Sequence, residues 1–180
     1  MAKEIENKYA LKYFPENLQI EEQKELEQAY IYCDKFTNIR IRKENSSNKG
    51  NIKYIYTIKE KIAKEKNTET NVKEEIEHEL TKEEYEKLLS KKISNKIEKT
   101  RYVIKISNTL KAEIDIYKGV LEGIRNVEVE FKTEEEALEF QKPEWFGKIL
   151  KGKEFSNRKL AKLNKEEIIQ MKNKIKELEN

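Results

Sequence analysis

Seven short segments of this 180-residue chain alternate charged side chains with apolar or aromatic ones. They are Glu4-Ile5-Glu6-Asn7-Lys8-Tyr9, Arg40-Ile41-Arg42, Ile58-Lys59-Glu60-Lys61-Ile62, Glu75-Ile76-Glu77-His78-Glu79-Leu80, Lys99-Thr100-Arg101-Tyr102-Val103, Glu113-Ile114-Asp115-Ile116 and Glu128-Val129-Glu130-Phe131. A period of two marks a strand with unlike faces. Here one face would be almost purely ionic, with its sign sorted strand by strand. Clustered carboxylate oxygens hold divalent cations, and arginine forks pair bidentately with phosphate oxygens. The chemistry these residues could do together is the binding of a polyanion with metal ions. A half-exposed strand with its charges in water would explain any one segment. It does not explain seven in which like charges two apart repel one another on the same face, a cost that ligands of opposite sign would offset.

Positioning those faces requires a strand-rich scaffold. The alternation predicts strands at about 3–12, around Tyr30 to Arg42, and at 52–62, 72–80, 95–107, 110–117 and 126–132. A hairpin loop with Ser46, Ser47 and Gly50 falls at 45–51. A helix is expected near 17–27, after Pro15, with Leu18, Leu26 and Ala29 as its apolar markers. Thr81 with Glu84 and Thr133 with Glu136 read as capping boxes opening two further helices. Asn164 caps a last helix whose Ile168, Met171, Ile175 and Leu178 share one face. Strands joined by short links favour an α+β fold built on an antiparallel sheet curled into a barrel.

The bulk numbers narrow the function classes. Charged residues make up 41% of the chain, yet the net charge is only +3, which argues against a general nucleic-acid coat. Mean hydropathy is −0.97; neither a signal peptide nor a membrane-length apolar run is visible, so a soluble, cytoplasmic protein with no membrane partner is expected. Cys33 is alone, which excludes a disulfide framework, and no basic neighbour activates it, so it reads as a wall residue. Gly147 to Lys153 has the G-x-x-x-x-G-K spacing of a phosphate loop, but Glu154 stands where that motif needs Ser or Thr and no hydrophobic strand precedes it. His78 is the one histidine and points by parity away from the glutamate face, so a phosphohistidine route is not expected.

Glu4-Ile5-Glu6-Asn7-Lys8 is an E-x-E-x-K motif that resembles the signature of the CYTH superfamily, the triphosphate tunnel metalloenzymes. This group includes class IV adenylyl cyclases, thiamine triphosphatases and inorganic tripolyphosphatases. The likeness continues in order over roughly residues 3–160. Arg40-Ile41-Arg42 resembles the R-x-R strand, Thr57 to Lys61 the lysine strand, Glu75-Ile76-Glu77 the central E-x-E pair, and Lys99-Thr100-Arg101 the K-x-R strand. Glu113-Ile114-Asp115 and Glu128-Val129-Glu130 are similar to the acidic pairs of the last strands, and Pro143-Glu144-Trp145-Phe146-Gly147 with Ser156-Asn157 resembles late elements of short bacterial members.

The resemblance implies an eight-stranded antiparallel β-barrel whose charged interior is the active site, spanning 1–163, with the helix of 164–180 packed on it or capping it. It implies a monomer or homodimer that hydrolyses or cyclises a small-molecule triphosphate with Mg2+ or Mn2+. By the same likeness Glu4, Glu6, Glu113, Asp115, Glu128 and Glu130 would face the metal. Lys8, Arg40, Arg42, Lys59, Lys61, Lys99 and Arg101 would hold phosphate. Glu75 and Glu77 would orient those cations or assist with water, and Glu79 leaves open which of the three glutamates line the tunnel. Inorganic triphosphatase is the leading expectation, ahead of a class IV cyclase, a thiamine triphosphatase and a polyphosphate-binding module without catalysis.

Overall fold

The computed structural model describes residues 5–48, 50–61 and 73–180. Its frame is one antiparallel sheet of nine strands: β1 (Ile5–Leu11), β2 (Ile20–Cys33), β3 (Thr37–Ser46), β4 (Ile52–Lys61), β5 (Lys73–Leu80), β6 (Ile97–Lys105), β7 (Lys111–Tyr117), β8 (Arg125–Phe131) and β9 (Phe146–Ile149). Their order across the sheet is β5-β4-β3-β2-β6-β7-β8-β1-β9. The expected barrel is therefore corrected in two respects. There are nine strands, and among the described residues β5 and β9 stay as edges with no ladder between them. The ninth strand is only four residues long and pairs on β1, at a place where the alternation predicts no strand.

The helix expected at 17–27 is also corrected. That stretch begins β2, a central strand bonded to both β3 and β6. Glu, Gln, Lys and Leu favour helix by intrinsic propensity, but two neighbouring strands with unpaired edges outweigh a weak local preference. Once it is a strand, Lys24, Leu26, Gln28 and Tyr30 share the face of Arg101, Lys99, Arg42 and Arg40, their register partners across β6 and β3.

The outward face of the sheet carries the apolar residues and is covered. On β6, β7, β8 and β1 it holds Ile104, Ile114, Val127, Val129, Tyr9 and Leu11, packed with Phe146, Phe140 and Trp145. Over β2, β3 and β4, Ala29 and Ile41 pack under Tyr85 of α1 (Lys82–Leu89). The Thr81–Glu84 capping box is formed in full at α1. At α2 (Glu134–Glu139) only half of the expected box forms: Thr133 accepts from the Glu136 amide, while the Glu136 carboxylate accepts from the Lys132 amide.

One end of the inward face is covered as well. Ala10, Tyr30, Ile97 and Tyr117, at the ends of their strands, pack against Leu150, Phe155, Leu160 and the Ile168, Met171 and Ile175 stripe of the last helix (Lys165–Leu178). A four-residue helix, α3 (Asn157–Leu160), precedes it, so the last helix is α4. Asn164 caps α4 with Glu167 in a full capping box. Gly147 lets the α4 terminus approach: a Cβ there would lie 2.5 Å from the Leu178 carbonyl oxygen. Cys33 packs partly buried against this cluster, as a wall residue would.

Candidate active site

The inward face lines a cleft of about 530 Å³. Antiparallel register decides which charges meet there. Glu6 stands opposite Glu130, and Lys8 opposite Glu128. Glu113 stands opposite Glu128 on the other side, and Arg101 opposite Asp115. This gives one wall rich in carboxylates. Across the cleft, Arg40 and Arg42 on β3 face the same way as Thr57 and Lys59 on β4 and Glu75 and Glu77 on β5. Glu79 shares that parity but is paired with Ile55 beyond the cleft lining. His78 is paired with Tyr56 on the opposite parity, away from the glutamates, as expected. Glu4 and the side chain of Lys61 lie outside the described residues.

The two walls use their charges differently. Beneath the carboxylate wall, Asp115 is fully buried and both its oxygens are occupied. Lys99 Nζ bonds Oδ2, Arg101 Nε donates to Oδ1 at 2.7 Å and Arg101 Nη2 to Oδ2 at 2.8 Å. Arg101 also pairs with Glu113 and, at 2.9 Å, with Glu128, which Lys8 meets from β1. Burial opposes ionisation of Asp115, but Arg101 and Lys99 hold its carboxyl well below the usual range. Burial, then the neighbouring Arg101, pushes the Lys99 ammonium down to about 8. Burial raises the Glu113 carboxyl despite Arg101. Lys99 and Asp115 thus form a floor, while Arg101, Glu113 and Glu128 reach the cleft.

The cation wall is looser. Arg40 Nη2 lies 3.7 Å from Glu75 and 3.6 Å from Glu77, and Arg42 lies 3.6 Å from Glu44 and 3.9 Å from Glu77. Charge-assisted bonds that are fully made run at about 2.7–2.9 Å, so these guanidinium groups are steered without being consumed. Their Nε atoms are buried with no hydrogen-bond partner among the described residues. Burial and the adjacent Arg40 lower the Arg42 pKa, the signature of two cations crowded together and short of anionic charge. Thr57 donates to Glu77 at 2.8 Å, and Lys59 pairs with Glu75 at 2.7 Å.

Reading the sequence missed some residues of this face. Tyr30 lines the cleft and follows from β2 parity once β2 is a strand. At the far end of the same face, Lys24 bridges Glu22 and Glu44. Asn157, Arg158 and Lys153 come from the segment after β9 and also line the cleft; no alternation announces them.

The donors present fit the metal that the resemblance implies. Glu6, Glu113, Glu128 and Glu130 offer hard carboxylate oxygens on adjacent register positions. Among the described residues no three acidic or other ligating side chains converge into a ready cage. Magnesium is ordinarily held through one or two carboxylates and completed by water and phosphate oxygens.

Outside the cleft, Glu27 accepts from Lys96 at 2.9 Å and from Tyr85 at 2.8 Å. Burial pushes its carboxyl up, but these bonds more than offset that and hold it below its ordinary 4.5. A carboxylate depressed in the folded state contributes stability above its unfolded pKa, lost as pH falls through the folded value. Glu25, Glu128 and Asp115 are depressed in the same sense. The midpoint of urea unfolding should therefore drop as pH falls below about 4.5, and Glu27→Gln should make that drop shallower; an unchanged pH profile in the variant would remove Glu27 from the acid response.

No family model matches the chain. An inorganic triphosphatase of Nitrosomonas europaea is 33% identical over 90 residues, a stretch covering 49% of this chain and 60% of that protein. The crystal structure of the inorganic triphosphatase NE1496 superposes with a TM-score of 0.66 at 28% identity, over 91% of this chain and 97% of that one. The chain is thus similar, in sequence and in fold, to named inorganic triphosphatases. A putative adenylyl cyclase from Hippeastrum, described as having a dominant triphosphatase activity, shares the fold at a TM-score of 0.51 and 16% identity, over 75% of this chain and 82% of that one. In the present chain the structural likeness spans the greater part of the sequence. Among its described residues no helix is long and apolar enough to cross a membrane.

Proposed function

We propose that this protein is a divalent-metal-dependent triphosphatase, hydrolysing inorganic tripolyphosphate to pyrophosphate and phosphate within the charged cleft. The observation that carries the reading is the pair of facing walls: crowded, under-bonded guanidinium groups of Arg40 and Arg42 on one side, and the carboxylates Glu6, Glu113, Glu128 and Glu130 on the other. Named triphosphatases among the similar proteins support it.

In this reading Arg40, Arg42 and Lys59 bind phosphate oxygens, with Lys61 on the same strand. Glu75 and Glu77 position the two arginines, and Thr57 fixes Glu77. Lys8 and Arg101 lie between the walls, each tied to Glu128. Asp115 works from below by holding Arg101, and Lys99 in turn holds Asp115. Glu6, with Glu4 two residues earlier, and Glu113, Glu128 and Glu130 form the metal face. A bound magnesium or manganese ion would neutralise phosphate charge and acidify a water. A water oxygen bonds to the terminal phosphorus in line with the departing bridge oxygen, whose bond breaks to release pyrophosphate, and the water's proton passes to solvent.

Phosphate and pyrophosphate release should be measured from tripolyphosphate, ATP and thiamine triphosphate, with magnesium, manganese or EDTA. Fast metal-dependent hydrolysis of tripolyphosphate over the other two is expected. Cyclic AMP with pyrophosphate from ATP would make the protein a cyclase, and silence on all three would leave a binding module. Arg42→Ala should raise the KM for tripolyphosphate by roughly tenfold to a hundredfold, the value of a hydrogen bond to a charged group. An unchanged KM would take Arg42 out of the phosphate site.

A further inference from the structure

The segment after β9 contributes more to the cleft than packing. Residues 153–158 run along the end of the inward face that α4 and its neighbours cover, and Asn157 and Arg158 line the cleft itself. Tyr117, buried at the end of β7, receives Asn126 Nδ2 at 3.4 Å and donates its hydroxyl to Asn157 Oδ1 at 2.6 Å. Burial holds the Tyr117 phenol well above its ordinary value, so it remains a donor. With Oδ1 committed to Tyr117, the Asn157 amide has its two N–H donors left for the cleft. Arg158 Nη1 donates to the Asp34 carbonyl at 3.4 Å, in the turn joining β2 to β3. Among the described residues that long contact leaves most of the guanidinium fork available. Tyr30, Arg40 and Arg158 all line the cleft, and burial pushes the Tyr30 phenol up to about 12.

We propose that Arg158 and the Asn157 amide recognise a terminal phosphate group of a linear triphosphate at the covered end of the cleft, Tyr117 acting as the positioning residue that aims the amide. The proposal rests on the triphosphatase reading and adds to it a third, non-strand set of phosphate donors. A planar arginine fork and an amide N–H pair match the oxygens of a terminal phosphate, which has three, better than those of a bridging one. The end of the substrate that this set holds would be inorganic phosphate, and an organic group would have to lie toward the open end.

The test is titration of tripolyphosphate into the full chain in EDTA, with steady-state kinetics in magnesium alongside. Arg158→Ala should weaken tripolyphosphate binding and raise KM by roughly tenfold or more while kcat changes little, and Arg158→Lys should recover only part of the loss because it lacks the fork. Asn157→Asp keeps an acceptor for Tyr117 but turns a carboxylate on the phosphate, and should raise KM further; Tyr117→Phe should raise KM without changing the kcat pH profile. Wild-type values of Kd and KM in Arg158→Ala, with Arg42→Ala weakened, would overturn the proposal and leave the triphosphatase reading intact. Absence of tripolyphosphate binding and turnover in the unmodified protein would overturn both. If Asn157→Asp fails to fold by circular dichroism, the Arg158 variants decide alone, since that side chain lies at the surface of the cleft.

Discussion

Asp115→Ala should cost the fold about 3–5 kcal/mol in urea unfolding, the loss seen when one partner of a buried ion pair is removed. Asp115 is wholly buried and is the shared acceptor of Lys99 and Arg101. Its removal would leave two cations side by side in a place where burial already drives the Lys99 ammonium down to about 8. Lys99→Met is the informative contrast. It removes the cation whose charge is least favoured there, keeps an unbranched stem beside Tyr117, and leaves Asp115 bonded to Arg101 through two nitrogens. Replacing buried charge with apolar volume is often neutral or stabilising, so Lys99→Met should fall within about 1 kcal/mol of the parent. Equal losses in the two variants would mean that the floor is not organised around Asp115. Asp115→Ala should also lower turnover in whatever fraction remains folded, because Arg101 would lose two of the bonds that aim it between the walls.

Glu6→Gln should lower kcat for tripolyphosphate by at least about a thousandfold, corresponding to the several kcal/mol that metal assistance supplies in such reactions. The substitution is nearly isosteric and Glu6 is exposed on its strand, so the melting temperature should stay close to that of the parent. Glu6 faces Glu130 directly across the β1–β8 ladder, a like-charge pairing that is unfavourable in the absence of a cation. Retained turnover in Glu6→Gln would take Glu6 out of the metal face. A parallel loss of stability would show that its role is structural.

The ionic faces were legible from alternation alone. Each of Arg40, Arg42, Glu113, Glu128 and Glu130 points inward as its parity requires, and Asn7 lies on the outward side with Tyr9, to whose hydroxyl it donates. Capping at Thr81 and Asn164 was legible for the same reason, since a cap is a contact over three residues. Failures of sequence reading fall where a decision depends on a distant strand. Residues 20–27 have helical propensity and became sheet because β3 and β6 both pair with them. Phe146–Ile149 became a ninth strand because β1 offers an edge.

What the sequence determines by itself is therefore the sign and side of each charge, because side-chain direction along a strand depends only on the backbone's period of two. Which charges are consumed and which remain open was decided by tertiary structure. Lys99 and Arg101 are two residues apart and chemically alike, yet one is sealed in the floor and the other reaches the cleft. The difference arises from where β7 and β8 bring Asp115, Glu113 and Glu128 relative to β6, distances no local pattern encodes. The placement of Asn157 and Arg158 has the same cause: they enter the cleft because α4 and its neighbours bury an apolar stripe across one end of the sheet, and burial of that stripe, not the residues' own spacing, sets where their donors lie.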